Sequence, residues 1–226
     1  METVSISKDA LEFLKKLSAN NNRDWFQEHK KEFKTHEKEV KDFYLTLMER
    51  MRLHDELDKF KMFRIYRDVR FSKDKTPYKT HYAGSFSRAG KALRGGYYAR
   101  IKPGETFIAT GFWDPNKEDL FRIRKELETN ASEFRQVIGA KKLKGVWGDL
   151  TGDELKTAPK GFDKEHPDID LIRKKQFIFV RNFTDKEVLS SDFLSKVDDS
   201  FQAIRPYFDL MSDILTTNLN GESLLR

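Results

Sequence analysis

The side chains best suited to chemistry are Arg and Lys residues concentrated between Arg64 and His81. Six of the eighteen residues in this segment are Arg or Lys, against two Asp. Extending the window to Lys102 gives eleven cations and a local charge of +9, in a chain whose formal net charge is +6. Cations held beside tight turns are typical of sites that bind phosphate or carboxylate. The segment therefore predicts an anion-binding site, without specifying a reaction.

Four residues of this basic window are predicted to share a site. Arg64 and Tyr66 lie on one face of a strand predicted over 63–67, because side chains alternate along a strand. Tyr98 and Arg100 share a face of a later predicted strand. Arg supplies a planar fork of donors for phosphate, and Tyr supplies a hydroxyl or a ring on which a base can stack. We expect the four to converge on a nucleotide or nucleic acid if the two strands bring these faces together.

The wider set of predicted ligand contacts combines cations, hydroxyls and rings. Its members are Arg64, Arg67, Arg70, Ser72, Lys73, Lys75, Tyr78, Lys79, Tyr98 and Arg100. Arg23 and Trp25, at a predicted helix start, are candidates for the rim of the site, although a helix cap with core anchors explains them more simply. For Arg64, Asp68 and Arg100 the alternative is a set of ion pairs that stabilise the sheet.

Asp68, Asp74 and His81 are the candidate catalytic residues. The arginines around Asp68 favour its ionised form, so it suits an orienting or metal-facing role better than that of a general acid. His81 is expected to titrate near neutral pH, where it would act as a base. The sequence assigns a catalytic role to none of the three.

Several common sites lack their sequence signatures. His29, Glu32 and His36 lie near one face of a predicted helix, but without an HExxH pattern a solvated helix face is the better interpretation, and no metal site is predicted. The chain has no GxxxxGK[ST], GxGxxG or GxSxG motif, which argues against the common nucleotide-hydrolase, dinucleotide and serine-hydrolase sites. The sequence specifies no cofactor.

Composition predicts a packed protein made of one domain over 1–226. Hydrophobic residues make up 38% and aromatic residues 13% of the chain, which is enough to build a core. With no cysteine there are no disulfides and no thiolate chemistry. The N-terminus lacks the apolar core of a signal peptide and no run is long enough to span a bilayer, so we expect a cytoplasmic protein without a membrane partner.

The predicted fold is α+β, with a mainly antiparallel central sheet of five or six strands flanked by helices. An N-terminal helical pair covers 7–52, the sheet-rich basic segment covers 62–113, and a mixed, mainly helical half covers 114–226. Strands are predicted over 63–67, 82–88, 96–102, 106–113 and 177–180. Helices are predicted from Ser7 to about 19, from Asn22 or Asp24 to about 52, over 117–129, 131–138, 185–195 and 200–215, and briefly after Pro167, with 145–161 irregular.

The sequence resembles the family known as domain of unknown function 2461, found mainly in bacteria and also in fungi. The resemblance rests on NNRDWF at 21–26 and RDVRFSKDKTPYK at 67–79, and it continues through GYY at 96–98, GFW at 111–113 and PKGF at 159–162. It extends from about Leu11 to Asn182. It implies no specific activity, but its longest motif falls on the basic segment that the charge pattern indicates.

Three functions remain open from the sequence. The leading hypothesis is a site for a phosphate-containing ligand, either a nucleotide or a nucleic acid, formed by the basic sheet and loop. The second is an enzyme acting on a phosphorylated or acidic small molecule through Asp68, Asp74 or His81. The third is an interaction module whose basic face docks an acidic protein. The sequence does not indicate an oligomeric state.

Overall fold

The computed structural model describes residues 4–225, and its centre is one five-stranded antiparallel sheet. The strands lie side by side in chain order, each paired with the next along the sequence. They are β1 (Leu57–Met62), β2 (Tyr82–Arg88), β3 (Gly96–Ile101), β4 (Thr106–Phe112) and β5 (Phe177–Phe183). Together with the helices around it, this sheet confirms the predicted α+β fold and the predicted number of strands.

The helices lie in three groups along the chain: before β1, between β4 and β5, and after β5. Three come before β1: α1 (Lys8–Ala19), α2 (Arg23–Glu28) and α3 (Lys30–Met51). Between β4 and β5 lie α4 (Lys117–Thr129), α5 (Ser132–Gly139), α6 (Lys141–Trp147) and the short α7 (Ile169–Ile172). After β5 come α8 (Asp185–Val188), α9 (Phe193–Ala203) and α10 (Arg205–Thr216). No helix within 4–225 is long and apolar enough to cross a membrane.

Local capping explains where several of these helices begin. The Ser7 hydroxyl accepts a hydrogen bond from the Ala10 amide at 3.1 Å, as predicted for the first helix. The Asn116 side chain accepts one from the Asp119 amide at 2.8 Å at the start of α4. Each cap satisfies a backbone donor that a helix leaves unpaired at its first turn. These contacts are local, which is why the sequence predicts them well.

The two faces of the sheet differ in what covers them. Along β3, Tyr97, Ala99 and Ile101 are buried, whereas Tyr98 and Arg100 are only half-buried. The buried face packs on helices: the Tyr44 hydroxyl of α3 donates to the Ala99 carbonyl at 3.2 Å. We call this side the covered face and the side of Tyr98 the open face. The open face carries most of the partly exposed side chains of β2, β3 and β4.

Two predicted elements in the first third of the chain are wrong. The first strand runs over Leu57–Met62 instead of 63–67. Residues 63–67 continue as an irregular segment, in which Tyr66 forms an isolated bridge with Tyr78 and the Phe63 amide donates to the Ala83 carbonyl at 2.9 Å. The long helix predicted to about 52 is interrupted at His29, whose ring stacks on Trp25 at 4.0 Å between centroids and whose Nδ1 lies 2.8 Å from the Trp25 carbonyl oxygen.

The predicted helices near the C-terminus have different boundaries. The helix predicted over 185–195 is divided into α8 and the beginning of α9. The helix predicted over 200–215 begins instead at Arg205, next to Pro206 in the first turn of α10. Proline fits a first turn but cannot continue a helix, since it has no backbone N–H. The irregular segment predicted from 145 begins within α6.

Candidate ligand site on the open face

The basic motif forms a braced loop, here called the signature loop (residues 64–79), with Arg67 at its centre. Arg67 donates hydrogen bonds to the Asp74 carboxylate, to the Thr76 hydroxyl and, at 3.2 Å, to the Thr76 carbonyl. Asp74 also accepts from the Thr76 amide at 2.9 Å and the Thr76 hydroxyl at 2.8 Å. These bonds, from Thr76 first and then from Arg67, lower the pKa of Asp74 to about 2. Arg67 and Asp74 therefore hold the loop together.

Other predicted ligand contacts are also engaged within this loop. Arg70 grips the Asp68 carboxylate with two hydrogen bonds, of 2.9 and 2.6 Å, which lower the pKa of Asp68. The Lys75 ammonium donates to the Val69 carbonyl at 2.9 Å. The pair of Arg70 and Asp68 is solvent-exposed on both sides. Exposed pairs of this kind contribute little stability, so Arg70 can exchange partners more readily than Arg67 can.

The signature loop is fastened to the N-terminal helices through Tyr78. The Asn21 side chain donates to the Tyr78 carbonyl at 2.9 Å and accepts from the Tyr78 amide at 3.1 Å. The Tyr78 ring is buried and stacks on Phe26 at 4.0 Å between centroids, and Tyr66 packs on both rings. Tyr78 is thus a core anchor. Asn21 is the partner that sequence reasoning missed, although its place in the family motif is a signal that could have found it.

The two rim candidates lie beside this anchor. Trp25 is half-buried, with its ring 5.8 Å from Phe13 and stacked on His29. Arg23 is exposed and close enough to Tyr78 to act on it electrostatically. Their arrangement fits the simpler interpretation of a capped helix with a core anchor.

A row of three aromatic rings crosses the open face. The ring centroids of Phe63 and Tyr98 are 6.1 Å apart, and those of Tyr98 and Phe107 are 5.7 Å apart. We call Phe63, Tyr98 and Phe107 the aromatic row. The predicted convergence placed Tyr66 beside Tyr98, and this is corrected, because β1 ends at Met62 and it is Phe63 that reaches Tyr98. Alternation along β4 is the signal that could have found Phe107.

Cations lie over the two outer rings of the aromatic row. The Lys61 and Lys79 ammonium groups lie 5.5 and 5.6 Å from the Phe63 ring centre. The Arg100 guanidinium lies 4.6 Å from the Phe107 ring centre. Arg100 also pairs with Glu105 at 2.7 Å, and the Glu105 side chain is 58% exposed. The open face therefore joins flat apolar surface to positive charge.

A cavity of about 530 Å³ lies beside the aromatic row. Its floor consists of small residues, and its walls include Tyr98, Phe107 and the Trp113 ring, which is 67% exposed. The full lining is Ser85, Phe86, Ser87, Gly95, Gly96, Tyr97, Tyr98, Phe107, Ala109, Thr110, Gly111, Trp113 and Ile178. Cavities of this size and apolar character are typical of small-molecule sites. Asp68, Asp74 and His81 are absent from this lining, so the acid–base hypothesis gains no support from it.

His81 lies among the cations at the end of the open face. Burial is the largest cause that lowers its pKa, to about 4, followed by the charges of Arg100, Lys79 and Lys102. The expected titration near neutrality is therefore corrected: the His81 ring is neutral at pH 7. Burial and the charge of Arg64 likewise lower the pKa of Lys79. The cations at this end are thus close enough to repel one another.

A buried ionic network on the covered face escaped the sequence analysis entirely. The Asp55 carboxylate accepts from Arg88 at 2.9 Å and from the Tyr97 hydroxyl at 2.5 Å, and pairs with Arg205 at 2.5 Å. The side chains of Asp55 and Arg88 have no solvent exposure. Its members are far apart in sequence, so no local motif marks it. Within 4–225 there is no cluster of His, Asp and Glu side chains that could hold a metal ion.

One comparison with known proteins gives a result. A family described as conserved hypothetical protein (DUF2461) matches residues 9–210. The chain belongs to the DUF2461 family. This confirms the resemblance noted from the sequence, and the match spans the signature loop and all five strands. No curated protein and no solved structure matches the chain. The DUF2461 description names no activity, so the geometry of the open face must carry the functional proposal.

Proposed function

We propose that this DUF2461 protein binds a ligand with a planar base and a phosphate, either a nucleotide or a nucleotide unit of a nucleic acid. The observation that carries the proposal is the aromatic row, with cations over its outer rings and an apolar cavity beside it. Neither feature alone is specific to such a ligand. Their combination matches the two halves of a nucleotide, since one half is flat and apolar and the other is anionic.

The base belongs at the cavity end of the row. Cations already lie over Phe63 and Phe107, which leaves Tyr98 and the exposed Trp113 as stacking surfaces. The small side chains of the floor leave room for a ring, and hydroxyls of Ser85 and Ser87 supply donors and acceptors for its edge. Stacking on aromatic side chains tolerates any base because every base has a π-face.

The phosphate belongs among Arg100, Lys79 and Lys61. Arg100 pairs with the Glu105 carboxylate and also donates to the Glu105 carbonyl at 3.2 Å, but the carboxylate is 58% exposed and its contribution to stability is small. A phosphate can replace the carboxylate and gain a bidentate contact. The neutral His81 ring retains one N–H that can donate to a phosphate oxygen. Of the ligand contacts predicted from the sequence, this assignment retains Tyr98, Arg100 and Lys79. Arg67 is assigned a structural role in the loop instead.

The test is calorimetric titration with 5′-mononucleotides at low ionic strength. We expect Tyr98→Ala and Arg100→Gln each to weaken binding roughly tenfold, since stacking on one ring and one charged hydrogen bond are each worth on the order of 1–3 kcal/mol. Tyr98→Phe keeps the ring and should bind nearly as well as the unmodified protein. Arg135→Gln is the matched charge control, because Arg135 lies on α5 and pairs with Asp168 and Asp170.

Two results would overturn the proposal. One is the absence of binding by any mononucleotide and by any oligonucleotide at low ionic strength. The other is binding that Tyr98→Ala and Arg100→Gln leave unchanged, which would place the ligand elsewhere on the protein. Circular dichroism and thermal unfolding of each variant separate a lost contact from a lost fold.

A further inference from the structure

The tip of the signature loop presents an aromatic side chain to solvent. Phe71 is 98% exposed, and the Arg70 guanidinium lies 6.0 Å from its ring centre. The hydrogen bonds among Arg67, Asp74 and Thr76 fix the segment that carries it. The backbone that carries the ring is thus braced. An exposed aromatic side chain on a braced backbone beside an Arg suits recognition, because little backbone entropy is lost when a partner covers it.

A series of cations runs from the aromatic row to this loop tip. The Arg100 guanidinium and the Lys79 ammonium lie over the two outer rings of the row. The Lys79 ammonium also donates to the Arg64 carbonyl at 3.0 Å. Arg70 follows six residues after Arg64 in the sequence and lies beside Phe71. We call Arg100, Lys79, Arg64 and Arg70 the cation track.

We propose that the ligand is a single-stranded nucleic acid that lies along the cation track, with one base on the open face and another on Phe71. This inference rests on the proposed function and extends it from one nucleotide to a strand. Each step of the track offers a cation to a phosphate, and an aromatic surface stands at each end. On the order of four nucleotides or more are expected to be covered, the lower end of the range for sheet-based single-strand sites.

The arrangement favours a single strand over both a free nucleotide and a duplex. A free nucleotide fills one end of the track and leaves Phe71 uncovered. A duplex keeps its bases stacked on one another, so it cannot offer base faces to Tyr98 or Phe71 without being opened. Phosphate contacts along the track supply affinity without sequence preference.

The experiment measures fluorescence anisotropy with single-stranded oligothymidylates of increasing length, with thymidine monophosphate as an unlabelled competitor. Affinity should rise with length until the track is covered. Phe71→Ala should weaken binding of the longest oligonucleotide roughly tenfold and leave binding of the mononucleotide unchanged. Phe71→Tyr, which keeps the ring, is the matched control. Arg64→Gln should lower the slope of log affinity against log salt by about 0.7 for a single strand.

The outcomes separate this inference from the proposed function. In one outcome the mononucleotide binds and Tyr98→Ala weakens that binding, but long oligonucleotides bind no more tightly and Phe71→Ala has no effect. The single-strand proposal is then overturned, and the nucleotide site stands. Equal affinity for a duplex of the same sequence also overturns the single-strand proposal. If neither mononucleotide nor oligonucleotide binds, both proposals fail. Phe71 is exposed, so its variants are expected to fold normally.

Discussion

At the scale of single residues, the partner of each charge decides what that charge can do. Arg67 and Arg100 both belong to the basic window, and both are paired with a carboxylate. Arg67 is also bonded to Thr76 and supports the loop. The bonds of Arg100 go instead to Glu105, through its exposed carboxylate and its backbone carbonyl. A ligand phosphate can therefore compete for Arg100 without unfolding the loop. Counting cations in the sequence treats the two as equivalent.

His81 gives a pH-dependent prediction at this scale. Its pKa in the folded protein is about 4, against 6.5 for an unperturbed His. Between pH 4 and pH 6.5 the unfolded chain binds a proton at His81 that the folded protein does not. The neutral ring therefore contributes to the free energy of unfolding above about pH 6.5, and this contribution is lost as the pH falls towards 4. An NMR titration of the imidazole should show a midpoint near 4.

Arg100→Gln tests the cause of this low pKa. Removing the neighbouring charge should raise the His81 midpoint, and so should an anion that binds between Arg100 and Lys79. A midpoint at pH 6 or above in the unmodified protein would contradict the prediction. A midpoint that Arg100→Gln leaves unchanged would mean that the charge of Arg100 is not a cause and that burial with the charges of Lys79 and Lys102 is responsible.

At the scale of elements, the open face exists because the flanking helices pack on the other side of the sheet. α3 packs against β1 and β2, and the Tyr207 ring of α10 meets Phe112 and Phe179. The antiparallel order lets one face stay partly solvated while the other forms the core. The segment between β1 and β2 then brings Phe63 beside Tyr98 and Lys79 over Phe63. The irregular segment is what completes the site.

Gly111 gives a prediction for β4. Its φ of +115° is a conformation that side chains rarely adopt, and a Cβ there would overlap the Phe177 carbonyl oxygen on β5. Gly111→Ala should lower the free energy of unfolding by about 3 kcal/mol, because both backbone strain and a clash with the neighbouring strand are imposed. Urea denaturation followed by circular dichroism measures the loss.

Gly145→Ala is the matched control for this change. Gly145 lies within α6, and a Cβ there would meet nothing within 4 Å. Alanine should stabilise the helix by about 0.5–1 kcal/mol, since glycine loses more backbone entropy on folding. Equal effects of the two substitutions would show that the β4–β5 pairing tolerates a side chain at Gly111 and would contradict the prediction.

At the scale of the whole molecule, the Asp55 network ties distant parts of the chain together. Asp55 follows α3, Arg88 ends β2, Tyr97 lies on β3 and Arg205 begins α10. The carboxylate serves all three partners, and burial raises the pKa of Tyr97, which keeps its hydroxyl as a donor. The network joins the N-terminal helices, the sheet and the C-terminal helix behind the strands that carry the open face.

Asp55→Asn should be strongly destabilising. Removing the carboxylate charge leaves the buried Arg88 with Asp209, 3.6 Å away, in place of its close partner. Breaking a buried pair in this way costs about 3–5 kcal/mol. The free energy of unfolding in urea measures the effect. Asp42→Asn is the control, because Asp42 pairs with Lys38 on the exposed side of α3. The control should change stability by about 0.5 kcal/mol or less. A similarly small loss for Asp55→Asn would show that the network does not tie the elements together.

Local sequence patterns determined much of this protein. The short run over 82–88 bounded by Gly, and the helical spacing over 117–129, predicted β2 and α4 with their observed bounds, because both depend on neighbours a few residues away. The charge pattern and the family motif identified the same basic segment. Gly and Pro residues between the apolar runs also indicated how many strands to expect. Each of these signals is contained within a short stretch of chain.

Only the tertiary structure decided which residues meet. Phe63 reaches Tyr98 in place of Tyr66 because β1 ends at Met62, before the predicted strand of 63–67 begins, and a single step along a strand turns every side chain to the other face. Glu105 pairs with Arg100 across a turn, and Asp55 pairs with Arg88 from a distant part of the chain. Charges interact through space, so only the folded chain separates Arg67, which braces the loop, from Arg70 and Arg100, whose carboxylate partners are exposed.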